Sequence, residues 1–313
     1  MAAAQVTTPG AVELSGIDKS FGSVHAVRAV SLTVGKGEIT GIVGENGAGK
    51  STLMSILYGL YRADAGEIRI DGRPVEIDGP RDAIARGIGM VHQHFMLIDT
   101  FTVLENLVLG AEGGPLLAGG LAAARAELGR LEREYGLKVD PDARVADLSV
   151  GEQQRVEILK VLFRGARILV LDEPSAVLTP QETDELLKNM KKLRDKGRSI
   201  VFITHKLREV KEAADKITII RRGKVVGTAA PTASQEELAA LMVGRPVSLD
   251  VEKSPPKLGD VTLSVKDLTV SDHTGRSLVR GVTFDVRAGE ILAVAGVQGN
   301  GQSELAEAIV GLQ

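Results

Sequence analysis

The 313-residue sequence contains no cysteine, so it can form neither a disulfide nor a thiolate metal site. That absence suits a reducing compartment. No apolar stretch approaches the roughly 18 residues that a membrane-spanning helix needs, so any membrane role must come through a partner. The opening residues, MAAAQVTTPG, lack a basic segment and an apolar core. They read as a disordered tail over residues 1–11 rather than a secretory signal. Charge of one sign is not in excess either. The net charge is −3, with both signs spread along the chain, which excludes the strongly basic footprint of a general nucleic-acid binder. What is present is ordinary for a folded chain: 43% hydrophobic and 25% charged residues, enough to bury a core.

The chain also contains an internal repeat. VSLTVGKGEITGIVGENGAGKSTLMSILYGL (30–60) aligns without a gap on VTFDVRAGEILAVAGVQGNGQSELAEAIVGL (282–312). Gly289 follows Gly37 by 252 positions, and Gly311 follows Gly59 by the same 252. Upstream the two copies align less well, with about one residue inserted. The repeat predicts a complete domain over 12–243, a linker over 244–260 containing Pro255-Pro256, and the opening of a second domain over 261–313. On the same arithmetic a full second domain would reach about residue 495, so the strands after Val261 are expected to lack flanking neighbours.

Within the first domain, EITGIVG (38–44), RILVLDEP (167–174) and SIVFITH (199–205) are short apolar runs separated by helical patterns. They predict an α/β fold with a mainly parallel core sheet. VELSGIDKSF and EIRIDGRPVEI alternate beside turn residues and predict an antiparallel β section. Residues 102–137 are rich in Ala, Leu and Glu, which predicts a helical subdomain.

GENGAGKS (44–51) fits G-x-x-x-x-G-K-[ST] between an apolar strand and a helical pattern, the context that a P-loop NTPase requires. Its glycines let backbone N–H groups turn toward phosphates, and the helix start adds the positive end of its dipole. Lys50 supplies charge at the β- and γ-phosphates, and Ser51 offers a hydroxyl to Mg²⁺. Asp172, at the end of an apolar run, can hold the same ion; Glu173 can orient or deprotonate an attacking water. The second copy keeps Gly296, Gly299, Gly301 and Ser303 but has Gln302 where the first has Lys50. Its glycines can still bend around phosphates, while the cation is lost. His92 and His94 form an H-x-H pair that would share one strand face, but no third ligand follows at convincing spacing, so packing is the better reading.

LSVGEQQRVEI (148–158) narrows the class further. Here the chain resembles the ABC ATPase family, whose signature has the form LSGGQ, and Leu148, Ser149, Val150, Gly151, Glu152 and Gln153 occupy that signature. Val150 replaces the first of its two glycines. The resemblance runs over essentially the whole chain. It implies an ABC ATPase fold with a helical signature subdomain, and ATP and Mg²⁺ as ligands. It assigns ATP binding to Phe21 (an aromatic that stacks on adenine), Val27, and the run Gly44, Glu45, Asn46, Gly47, Ala48, Gly49, Lys50, Ser51 and Thr52. Gln93 would sense Mg²⁺ and a transmembrane partner, with Ser51 and Asp172 as the other Mg²⁺ contacts. Glu173, His205 and Lys50 would be the catalytic residues, and Ser175-Ala176 would begin the D-loop. In the family, each ATP lies between two units, with the signature of one facing the ATP bound by the other. A helix start carrying Ser149 and Gly151 is an anion site on physical grounds as well.

The tandem layout with an altered second loop resembles importer ATPases for sugars and nucleosides, the nucleoside branch most closely. That implies transmembrane permease subunits, an extracytoplasmic substrate-binding lipoprotein acting indirectly, a second ATPase unit in a dimer, and a place on the cytoplasmic face of the membrane. The rival readings are a soluble tandem ABC ATPase acting on ribosomes or DNA, and a nucleotide-binding regulator. Gln302 and the short linker speak against the first. The presence of Lys50, Asp172, Glu173 and His205 together speaks against the second.

Overall fold

The computed structural model describes residues 10–110, 120–246, 256–272, 274–296 and 299–312. The chain divides into two units, Met1–Ser248 and Leu249–Gln313.

In the first unit the short apolar runs form a six-stranded sheet. Its strands are β3 (Ile39–Val43), β6 (Ile88–Val91), β7 (Ile168–Asp172), β8 (Ser199–Ile203), β9 (Lys216–Arg221) and β10 (Lys224–Ala229). Their order is β10-β9-β3-β8-β7-β6, parallel throughout except for the antiparallel β10–β9 pair. Every residue of β3, β6, β7 and β8 is buried, as near-continuous apolar strands require when both sheet faces are covered. Alternation sorts their side chains between two cores. Val43, Leu169, Leu171, Ile200 and Phe202 face one core, and Ile42, Ile168, Val170, Val201 and Ile203 face the other.

The first core is covered by helices α3 (Val103–Val108), α4 (Gly120–Tyr135), α5 (Val150–Phe163), α6 (Pro180–Asp195), α7 (Leu207–Ala213) and α8 (Gln235–Val243). The helical stretch expected at 102–137 thus contains α3 and α4; residues 111–119 lie outside the described residues. The second core lies under α1 (Lys50–Leu57), α2 (Pro80–Ala85) and a four-stranded antiparallel sheet. That sheet has the order β2-β1-β4-β5, from β1 (Val12–Phe21), β2 (Val24–Val34), β4 (Ala65–Ile70) and β5 (Arg73–Val75).

Helix starts follow local chemistry. Thr102 with Glu105, Ser149 with Glu152, and Thr179 with Glu182 each form a reciprocal capping box, and Pro180 stands in the first turn of α6. Gly41 lets α7 come close to β3, because a Cβ there would lie 2.1 Å from Val210 Cγ2.

The second unit contains a hairpin of β11 (Val261–Ser271) and β12 (Ser277–Arg287), then helix α9 (Gln302–Ile309). Its small core is Val270, Val279 and Leu305. The hairpin repeats the β1–β2 register: Leu14↔Leu32, Ile17↔Val30 and Lys19↔Val27 in one, Val265↔Phe284, Leu268↔Val282 and Val270↔Val279 in the other. Both hairpins are irregular at the same place. Gly16 (φ 61°) and Ala29 (φ 47°) take left-handed backbone in the first, and Asp267 (φ 48°) and Gly281 (φ 59°) do so in the second. Even the bridging bond recurs: Gly16 N–H donates to Ser31 Oγ at 3.0 Å, and Asp267 N–H to Thr283 Oγ1 at 2.9 Å. Residues 291–296 carry the apolar pattern of β3 but take no strand partner among the described residues, and Ile291 is 96% exposed.

Candidate functional site

The turn between β3 and α1 is held by close backbone approaches. Gly47 and Gly49 have φ of 76° and 99°. A Cβ on Gly49 would lie 2.3 Å from Ala26 O, and one on Gly44 would lie 2.1 Å from Ile220 O. Gly223 N–H donates to Ala48 O at 3.0 Å, and Arg28 N–H donates to Gly223 O at 2.7 Å, so β2 and the β9–β10 turn both brace the loop. Lys50 is 5% exposed, and its Nζ donates to the carbonyls of Gly44 at 2.8 Å and Glu45 at 2.9 Å. Burial pushes its pKa down, opposed by the nearby carboxylates of Glu173 and Asp172. Helix α1 has no side-chain cap and no acid in its first turn, so its first N–H groups remain donors for an anion. Gly49→Ala is expected to reduce ATP-analogue affinity at least tenfold and to lower the thermal midpoint, since backbone must move to admit the methyl. Fluorescence titration and a thermal melt check this; wild-type affinity would show that the close approach is unimportant.

The opposite wall comes from β7. Ser51 Oγ donates to Asp172 Oδ1 at 3.2 Å. Glu173, just beyond β7, has φ 47°, a conformation costing a non-glycine residue about 1–3 kcal/mol. Its N–H donates to Ile203 O at 3.0 Å, and its carboxylate Oε1 lies 3.1 Å from His205 Nδ1. A cavity of about 480 Å³ is lined by Asn46, Gly47, Ala48, Gly49, Lys50, Ser51, Thr52, Gln93 and Glu173. Val24, His25, Ala26, Arg28, Arg222 and Gly223 complete its wall. Motif reading did not find these last six, because they come from the β1–β2 hairpin and the β9–β10 turn.

Asp172 is 6% exposed, and desolvation raises its pKa, with the Ser51 hydrogen bond opposing and Glu173 reinforcing the shift. A carboxyl whose pKa is raised by folding favours the folded state below its unfolded pKa, and that contribution is lost as pH rises through the folded value. Asp172→Asn is therefore expected to stabilise the metal-free protein at neutral pH, by of order 1 kcal/mol. The gain should shrink as the pH falls through the raised pKa of Asp172. Denaturant titrations at two pH values check this; an equal or larger gain at acid pH would contradict the assignment.

Several expected residues are not part of the cavity wall. Phe21 does not line the cavity; its ring packs edge-on against Tyr61, with centroids 5.0 Å apart. Val27 is 1% exposed and belongs to the second core, so its side chain packs. Gly44 and Glu45 act through carbonyls that hold Lys50. The strand-face argument for His92 and His94 does not hold, because β6 ends at Val91. His92 instead stacks edge-on against Tyr58, and burial lowers its pKa.

The signature residues form a separate group at the start of α5. Ser149 Oγ and Ser149 N–H donate to Glu152 Oε2 at 2.8 and 2.9 Å. Gly151 N–H donates to Glu182 Oε1 at 3.1 Å, an approach that a side chain on Gly151 would block at 2.6 Å. In the second unit, Gly299 and Gly301 have φ of 87° and 92°, like Gly47 and Gly49. A Cβ on Gly296 would lie 2.1 Å from Gln302 Nε2, so Gln302 folds over its loop as Lys50 does over Gly44. Ser303 follows at the start of α9.

Residues 27–176 match the profile of the family described as ABC transporter. That stretch is a domain of the ABC transporter family. This ABC chain is 51% identical over 302 residues to the nucleoside import ATP-binding protein NupA of Lactococcus lactis subsp. cremoris. It is 51% identical over 305 residues to the guanosine import ATP-binding protein NupO of Bacillus subtilis, and 45% identical to the glucose import ATP-binding protein TsgD13 of Haloferax volcanii. Each alignment takes in 96% of this chain and 59–60% of the relative, so the ABC chain spans about 60% of the length of these relatives. Among solved structures, a nucleotide-free ATP-binding cassette from an ABC transporter superposes with TM-score 0.64 at 26% identity. It covers 75% of this chain and 95% of that one. The ATP-binding cassette MJ0796, in a dimeric post-hydrolysis state with ADP and Pi, gives TM-score 0.59 at 27% identity, covering 71% of this chain and all of that one. The ABC chain thus has the P-loop ATP-binding fold, with a mainly parallel sheet, an antiparallel sheet and a helical section around α5. No described helix is long and apolar enough to cross a membrane.

Proposed function

We propose that this chain is the ATP-binding and ATP-hydrolysing part of an ABC importer, for nucleosides first and sugars second. The observation that carries the reading is the convergence of Lys50, Ser51, Asp172, Glu173 and Gln93 on one cleft at the mouth of an uncapped helix. The substrate class rests on the names of the relatives, which are nucleoside, guanosine, glucose and ribose import proteins.

The loop N–H groups and Lys50 bind and orient the triphosphate of ATP, with the Lys50 ammonium against the β- and γ-phosphates. Ser51 and Asp172 are hard oxygen donors 3.2 Å apart, a pairing that fits Mg²⁺ shared with phosphate, and Gln93 adds an amide oxygen nearby. When bound, that ion neutralises charge on the transferring phosphoryl group. Glu173 orients the attacking water and takes its proton, and His205 steadies Glu173. A second ATPase unit closes the site with its signature and excludes water. Permease subunits hold the assembly at the cytoplasmic face of the membrane, and an extracytoplasmic lipoprotein delivers solute to them.

The test is uptake of labelled guanosine and labelled ribose by vesicles containing the protein assembled with its permease subunits and the extracytoplasmic lipoprotein. ATP-dependent guanosine uptake, competed by other nucleosides and not by ribose, is expected. ATP-dependent ribose uptake alone would move the substrate to sugars. Failure of the isolated chain to bind ATP would remove the ATPase reading itself.

A further inference from the structure

Glu209 lies on α7, four residues after His205, and is 4% exposed. Its carboxylate gathers side chains from two loops. Ser175 Oγ lies within donating distance of both oxygens, at 2.8 and 2.6 Å. Thr204 Oγ1 donates to Oε2 at 3.1 Å, and Lys206 Nζ faces Oε1 at 3.2 Å. Lys206 Nζ also reaches back to the first loop, donating to Ser175 O at 2.9 Å. Ser175 and Thr204 are each 2% exposed. A buried carboxylate without donors would strongly disfavour the fold, so this arrangement is either complete or disruptive.

The two loops joined in this way carry the proposed catalytic pair. Ser175 stands two residues beyond Glu173, and Thr204 stands next to His205. Glu173 holds its left-handed backbone between Ile203 O, which accepts its N–H at 3.0 Å, and Ala176 N–H, which donates to its carbonyl at 3.1 Å. Such a conformation persists only where the surroundings over-determine it. One backbone bond ties it to β8 and the other closes within its own loop, and the Glu209 carboxylate fixes that loop from behind.

We propose that Glu209 is a positioning residue: it binds the segment after Glu173 to the segment carrying His205, so that the two move as one body and keep Glu173 against His205. The role presupposes the ATPase reading. The structural claim does not, so the two can fail separately.

The test compares the full chain with Glu209→Gln and, independently, Ser175→Ala, which breaks the same link from the other side without adding bulk. Amide hydrogen exchange is measured without nucleotide, and binding of a fluorescent ATP analogue is measured separately. Both variants are expected to speed exchange at Glu173 and Ala176 at least tenfold. Amides of α1 should be unchanged, and analogue affinity should stay within twofold. In the protein assembled with its permease, kcat should fall at least tenfold with KM for ATP nearly constant. Unchanged exchange at Glu173 and Ala176 would overturn the proposal. So would a uniform rise across β3, β7 and β8 with loss of analogue binding, since that marks general destabilisation. If Glu209→Gln does not fold, Ser175→Ala decides alone.

Discussion

Replacing Glu173 with glutamine is expected to lower ATP turnover by about 10³-fold or more in the assembled transporter, while ATP binding stays within a few-fold of wild type. The amide has nearly the shape of the carboxylate and can still accept from His205. It cannot take a proton from water. Glu173 lines the cleft beside Lys50 and Ser51, and its strained backbone fixes where its side chain points. The measurement is steady-state phosphate release alongside analogue binding. A loss of less than tenfold would leave Glu173 without its role as base.

Lys50→Gln is expected to lose binding and turnover together, with turnover falling by about 10³-fold or more. The change gives the first loop the residue that the second loop already has. The glycine conformations of the two loops are alike, and both side chains fold over the first glycine. What distinguishes them is the ammonium charge. Lys50 sits buried against the positive end of α1 and is held there by two carbonyls and the field of Asp172 and Glu173. Titration of wild type and variant with an ATP analogue, and then phosphate release, would separate binding from chemistry. Normal binding with lost turnover would assign Lys50 to the transition state alone.

The phosphate loop was legible in the sequence because it is local: eight consecutive residues determine glycine turns, a helix start and a charge. The capping boxes at Thr102, Ser149 and Thr179 are local too, and each marks a helix start in the structure. Properties that depend on distant partners were less legible. EITGIVG and EILAVAG read alike, yet the first is a strand between β8 and β9 while the second takes no strand partner among the described residues. A short apolar run proposes a strand; neighbours make one. The resemblance assigned Phe21 to adenine, but Tyr61, on a different segment, packs against its ring. The H-x-H pair suggested a strand face only if β6 continued past Val91, which it does not. Glu209 gave no motif at all: its partners Ser175 and Thr204 lie 34 and five residues away, and only the parallel pairing of β7 with β8 brings the two loops together.

The two hairpins carry a consequence for how duplication is detected. Each takes left-handed backbone at two positions, one on each strand, yet each places glycine at only one of them, and not the same one. Those positions are Gly16 and Ala29 in the first hairpin and Asp267 and Gly281 in the second, with the irregularity and the hydroxyl bridge kept in both. The dihedral angle repeats there while the residue type does not, so a comparison scored by identity finds the copies different at the very place where their geometry matches.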